Sequence, residues 1–425
     1  MRRRKRARET VKKTKTRRKT SRRALGSTPG LAPGVFFCYN PCVAFDFDAP
    51  VDRAGTWATR WERYAGRDVV PLWVADTDFR APDCVLEALG ARLRHGVLGY
   101  TAPPRELREA IVSRMQHRYG WRIETDWIVF LPGVVPGLHL AARHLVPAGG
   151  HALVPMPIYH HFKRAVELAP RAHTDIPLAL RSGRWVFDED RLAAAVRPES
   201  RLLYLCNPQN PGGTIFTRAE LERLAAFAGR HDLVICADEI HADLLLDAGK
   251  RHVPIASLAP EVSRRTVTLA SPNKTFNFPG AGCAWAIIED ADLRRAFGAD
   301  HHATVHDASL FGYVAALAAY RDGEPWLAAQ LEYLRGNRDL VEQAVARLPG
   351  LAMAHVEATY LAWIDASGLG VEDSQAHFLE HGVALSPGEQ FGAPGYVRLN
   401  FGTQRARLGA ALVRMASAAS STRSR

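Results

Sequence analysis

Thr266-Val267-Thr268-Leu269-Ala270-Ser271-Pro272-Asn273-Lys274-Thr275-Phe276-Asn277 passes from an apolar, β-branched run into a polar loop that carries a single lysine. The run has the composition of a buried strand, and the Ser/Pro/Asn/Thr loop is unlike a helix face. Two segments upstream end in a similar way. Leu233-Val234-Ile235-Cys236-Ala237 leads into Asp238-Glu239-Ile240-His241, and Leu202-Leu203-Tyr204-Leu205-Cys206 leads into Asn207-Pro208-Gln209-Asn210-Pro211-Gly212-Gly213. An amine, a carboxylate and an amide therefore stand at the C-terminal ends of three strands.

Outward from these segments the pattern repeats. Short apolar runs at 127–131, 151–155, 201–206, 233–238, 266–270 and 283–288 alternate with helical patterns, among them 138–145, 161–168 and 218–230. Strands buried on both faces and separated by helices predict an α/β fold: a mainly parallel sheet with helices on both faces. Ligands of such sheets bind beyond the carboxyl ends of the strands. Residues 69–76 read as extended, and helices are expected at 83–95 and 104–119. A long helix over 324–347 introduces a second region, with strands at 360–366 and 396–401 and helices at 374–381 and 404–415, which reads as a smaller α+β domain. The expected organisation is a basic extension (1–44), a segment completing the small domain and site (45–80), a large domain (81–320), a small domain (321–415) and a disordered tail (416–425).

The net charge of +11 belongs mostly to one end. Residues 1–23 hold 14 Lys/Arg and one Glu, so the rest of the 425-residue chain is close to neutral. Such a run cannot collapse and reads as a disordered extension. It lacks the apolar core of a secretory signal. It offers a non-specific surface for nucleic acid, but 44 irregular residues leave no room for a helix-turn-helix with its own core, so a nucleic-acid partner is not expected. No stretch approaches the 18 apolar residues of a membrane span. Of the six cysteines, Cys206, Cys236 and Cys283 lie in strand-like runs. Cys38 and Cys42 are close together, but no second pair completes a zinc site, so no metal is expected. This cysteine usage fits a reduced, cytoplasmic compartment.

The three polar groups match what pyridoxal 5′-phosphate requires: a lysine for its aldehyde, an acid for its ring nitrogen and a donor for its phenolic oxygen. Lys274 must be neutral to add to the aldehyde, which burial near a cationic ring favours. Asp238 also has a lesser reading as an N-cap of the turn that follows it. Asn210 sits in a proline-bounded turn and can donate to the phenolic oxygen. In 131–137, Gly133, Val134 and Val135 join a strand to a helix, and free N–H groups at a helix start suit a phosphate, with Ser271 adding a hydroxyl. Tyr159 can stack on a flat ring or serve the core. Arg398, a charge within the apolar strand Val397-Arg398-Leu399-Asn400, needs a partner: a substrate carboxylate or an internal salt bridge.

Taken together, these residues resemble the fold-type I pyridoxal phosphate enzymes of the class I/II aminotransferase superfamily. The closer resemblance is to the MalY/PatB group of cystathionine β-lyases. It rests on Asp52-Arg53, Gly55-Thr56, Arg60-Trp61, Leu72-Trp73-Val74-Ala75-Asp76-Thr77-Asp78-Phe79, His95-Gly96-Val97-Leu98-Gly99-Tyr100, Pro132-Gly133-Val134-Val135-Pro136, Asp238-Glu239-Ile240-His241 and Lys274-Thr275-Phe276-Asn277. The resemblance implies the seven-stranded-type sheet of the pyridoxal-phosphate-dependent transferase fold. It also implies a homodimer in which Tyr100 reaches the neighbouring subunit's cofactor phosphate, a cofactor contact for His241, and contact of the Val74–Ala75 backbone with the substrate carboxylate. Gly282 stands where many aminotransferases carry a phosphate-binding arginine, which favours the lyase branch. Thr77 and the stretch 402–405 depart from the group's usual residues, and the latter leaves substrate choice open. The implied reaction is β-elimination from cystathionine or a related cysteine S-conjugate. Lys274 would take the Cα proton, and Lys274 or Tyr100 would protonate the departing thiol. The alternatives are transamination of an L-amino acid and, more remotely, a cofactor-sensing regulator that uses the basic tail.

Overall fold

The computed structural model describes residues 45–422. The basic extension, with Cys38 and Cys42, lies outside the described residues. A seven-stranded sheet is built from β1 (Ile128–Leu131), β2 (His151–Met156), β3 (Ala172–Pro177), β4 (Ser200–Cys206), β5 (Val234–Asp238), β6 (Thr266–Ala270) and β7 (Ala284–Ile287), in the spatial order β1-β7-β6-β5-β4-β2-β3. β7 runs antiparallel to both of its neighbours, and every other pairing is parallel. This is the mainly parallel sheet that the alternating pattern predicts.

The strands are apolar throughout because both faces are covered. In β4, Leu202, Tyr204 and Cys206 pack into one cluster with the helices Val134–Leu145 and His161–Leu168. Leu203 and Leu205 pack into another with the helix Arg218–Arg230. The period of two thus distributes side chains between two cores rather than between core and water. Local signals set the helix ends. Gly96 and Gly120 take left-handed conformations after Asp83–His95 and Arg105–Tyr119, and Thr217 with Glu220 forms a capping box before Arg218–Arg230.

A second, fully antiparallel sheet follows the long helix Glu324–Val345. Its strands are β8 (Ala352–Met353), β9 (Leu361–Asp365), β10 (Ser386–Pro387) and β11 (Tyr396–Asn400), in the order β8-β9-β11-β10. Val70–Pro71 pairs in parallel with Val383–Ala384 in a separate two-stranded sheet, which ties the N-terminal segment to the chain just before β10.

Two expectations need correction. Residues 416–421, expected in a tail, belong to the last helix, which runs Arg405–Ser421 with Ala418 and Ala419 buried, because small residues suit close helix packing as well as they suit a loop. The apolar-run reading also passes over β3. As the sheet's edge strand, Ala-His-Thr-Asp-Ile-Pro buries only Ile176, so it carries no continuous apolar run.

Candidate active site

β4, β5 and β6 lie side by side, with Cys206 opposite Asp238 and Asp238 opposite Leu269. Their register brings the segments 207–213, 238–241 and 271–277 to one edge of the sheet. There they meet the N-terminus of the helix Val134–Leu145, the loop 73–79 and the second sheet around a cavity of about 350 Å³. Val74, Ala75, Gly133, Val134, Val135, Tyr159, Asn210, Asp238, His241, Lys274 and Arg398 all line it.

The charged groups here share one property: none has an ionic partner among the described residues. Lys274 is mostly buried, and its Nζ donates to the Ala75 carbonyl at 2.6 Å. Burial lowers its proton affinity to about 8, against opposing pulls from Asp76 and Asp238. Asp238 is 5 % exposed and accepts the Ile240 N–H at 3.0 Å. Burial raises its proton affinity to about 7, although that N–H bond opposes the shift. Arg398 is likewise buried. It donates to Asn210 Oδ1 and to the Trp73 carbonyl, each at 3.0 Å, and lies 4.7 Å from the centre of the Phe391 ring. Its Nε has no hydrogen-bond partner, and burial lowers its pKa to about 10. Among the described residues, the internal salt bridge that the sequence left open is therefore absent. Isolated buried charges are costly, so such a site is built to be completed by a ligand.

The remaining groups serve that ligand. With its oxygen on Arg398, Asn210 has its amide NH₂ left to donate. His241 is 2 % exposed with Nδ1 unpartnered, and burial lowers its pKa to about 3, which keeps the ring neutral. No side chain caps the helix Val134–Leu145, so its first N–H groups are available to an anion.

Two of the expected residues lie elsewhere. Ser271 does not line the cavity. Its hydroxyl donates to the Cys283 carbonyl at 2.6 Å and accepts the Asn273 N–H at 3.1 Å, so it shapes the turn that carries Lys274. Tyr100 is fully exposed, on a segment where Leu93, Val97 and Leu98 are exposed as well.

Sequence reasoning passed over Trp73, His160, Ser386, Gln390 and Phe391, all of which line the cavity. Ser386 reaches it because β10 pairs with β11 opposite Arg398, a register that no local pattern reveals. The motif residues 52–61 and 76–78 act one layer out. Arg53 bonds Asp76 at 2.7 Å and Asp78 at 2.9 Å. Fully buried Arg60 bonds the Pro71 carbonyl at 2.6 Å and lies 3.4 Å from Asp78. Thr403 and Arg407 also reach Asp78, at 2.7 and 3.2 Å. The divergent stretch 402–405 therefore braces the loop 73–79 and does not line the cavity.

The set fits pyridoxal phosphate on its own terms: a buried amine without a counter-ion, a buried acid without a cation, an orphaned guanidinium nitrogen and an uncapped helix start share one cavity. Sheet and site together define the pyridoxal-phosphate-dependent transferase fold. The chain belongs to the class I and II aminotransferase family, whose model matches residues 67–415. It is 36% identical over 387 residues to cystathionine β-lyase PatB of Bacillus subtilis, spanning 88% of this chain and all of PatB. The crystal structure of OvoB is 47% identical and superposes with a TM-score of 0.87 over 89% of this chain and all of that one. Cystalysin from Treponema denticola, whose crystal structure contains pyridoxal 5′-phosphate, is 28% identical with a TM-score of 0.85, over 89% of this chain and all of cystalysin.

Proposed function

We propose that this chain is a pyridoxal-phosphate-dependent carbon–sulfur β-lyase that cleaves cystathionine or a related L-cysteine S-conjugate to a thiol, pyruvate and ammonia. The observation that carries the reading is that mostly buried Lys274 and buried Asp238 and Arg398 share one cavity without ionic partners among the described residues. The choice of elimination is supported by the full-length likeness to PatB and by Gly282 in place of a phosphate-binding arginine.

Pyridoxal phosphate, when bound, supplies an electron sink for the pair left at Cα. Lys274 would hold its aldehyde carbon, and Asp238 would accept the ring N–H. Asn210 would donate to the phenolic oxygen, Tyr159 would cover the ring, and the Val134 and Val135 N–H groups would receive the phosphate. Arg398 binds the substrate carboxylate through its free Nε, which orients the Cα–H bond. Lys274, once free, takes the Cα proton as general base, because its lowered proton affinity leaves an appreciable neutral fraction near pH 7. A proton then passes to the leaving sulfur from Lys274 or from Tyr100 of a second copy, which makes the active unit a homodimer. A cytoplasmic site of action fits the free thiols Cys84, Cys206, Cys236 and Cys283.

The test is to incubate the purified protein and pyridoxal phosphate with cystathionine and no keto acid. Many turnovers of pyruvate and free thiol are expected. Product formation that depends strictly on an added keto acid would overturn elimination in favour of transamination.

A further inference from the structure

Three backbone carbonyls in a row, those of Val74, Ala75 and Asp76, are held from the second sheet. Asn400 at the end of β11 donates to the Val74 and Asp76 carbonyls, and the Tyr360 hydroxyl donates to Ala75 O at 3.0 Å. Leu361, the residue after Tyr360, pairs with Asn400 across β9 and β11, so the two side chains leave adjacent points of one ladder. The Ala75 carbonyl is also the acceptor of Lys274 Nζ at 2.6 Å. A phenol and an amine thus converge on one oxygen, which has two lone pairs to offer.

The backbone is bent to allow this. Thr359 has φ +75°, a conformation that a β-branched residue rarely adopts. The turn is held by the Thr359 N–H on the Leu244 carbonyl at 2.8 Å and by the Leu361 N–H on Thr359 Oγ1 at 3.1 Å. It sends the fully buried Tyr360 ring beneath the site, edge-on to His241 with centroids 6.0 Å apart.

We infer that Tyr360 is a positioning residue that sets the protonation of Lys274 through the shared Ala75 carbonyl. The inference rests on the proposed role of Lys274. Asp76 and Asp238 favour an ammonium at Nζ and Arg398 opposes it, while Ala75 O is the hydrogen-bond acceptor among the described residues for its three protons. The Tyr360 hydroxyl draws on the same oxygen and weakens it as an acceptor. The neutral amine, which needs no strong acceptor, gains by comparison.

The experiment follows uptake of pyridoxal phosphate by the full-length protein after hydroxylamine stripping. Growth of the visible absorption band is recorded against pH, and the adduct is trapped with borohydride and mapped. Tyr360→Phe is expected to move the uptake midpoint to higher pH by about half a unit, an effect the size of one neutral hydrogen bond. Placing 3-fluorotyrosine at 360, a stronger donor of nearly the same shape, moves it to lower pH and does not depend on the Phe variant folding. Tyr313→Phe is the control, because this buried phenol stands outside the cavity and does not touch Ala75 or Lys274. A midpoint unmoved by both changes at 360, with the wild-type adduct on Lys274, overturns the inference. An equal shift in Tyr313→Phe overturns it too. A wild-type protein with no adduct on Lys274 overturns the proposed function itself.

Discussion

At the residue scale, the chemistry depends on charges that the fold buries and does not pair. Lys274→Ala should bind pyridoxal phosphate without covalent capture and lose at least about 10³-fold in turnover, because both the attachment point and the base are gone. Borohydride trapping with peptide mapping checks the first part and pyruvate release the second. Arg398→Lys tests the carboxylate contact: one flexible ammonium cannot reproduce the fork, and kcat/KM should fall about 30-fold or more, largely through KM. Lys274, Asp238 and Asn210 stood out beforehand, since Asp238 ends an apolar run and the other two lie in the polar loops that follow such runs at the strands' carboxyl ends. Arg398 was legible as an anomaly, a charge inside an apolar strand. Ser271 was read as a phosphate ligand alone, whereas its hydroxyl also forms the turn that carries Lys274, a role that a hydroxyl beside a lysine does not announce.

At the scale of elements, the loop 73–79 matters most and was the least interpretable in advance. Its own residues give an extended stretch with two aspartates. Its placement comes from Arg53, Arg60, Asn277, Thr403 and Arg407, separated in sequence by as many as 354 positions. Only the finished topology brings them together, and no local pattern in these motif residues foretells it. Asp78 is the hub. Arg60, Thr403, Trp61 and Arg407 overcome its burial and hold its carboxyl at about 2. A depressed carboxyl stabilises the fold fully above its unfolded value near 3.8 and loses that contribution as pH falls towards 2. The acid limb of unfolding should therefore steepen between about pH 4 and 2. Asp78→Asn should remove on the order of 2 kcal/mol at neutral pH and flatten that limb, as measured by urea unfolding across pH. Loosening of the same loop should release the Ala75 carbonyl and slow turnover before global unfolding begins.

At the scale of the molecule, the two sheets close over the cavity, but one expected participant faces outward. Tyr100 lies on an exposed stretch with Leu93, Val97 and Leu98, a run of apolar side chains that water disfavours and a second copy would cover. If Tyr100 completes the neighbour's site, each site draws Lys274 from one subunit and Tyr100 from the other. Tyr100→Phe and Lys274→Ala would then be complementary lesions. Each homodimer is impaired at both of its sites. A hybrid of the two keeps one site with both native residues and concentrates both lesions in the other. Equal mixing by unfolding and refolding makes half the dimers hybrids, so about a quarter of wild-type activity should return. Subunits that each use their own Tyr100 would regain nothing beyond the residual activity of the parents, because no hybrid site would then hold both groups. Pyruvate release from the mixture, with sedimentation to establish a species of twice 46.9 kDa, separates these arrangements.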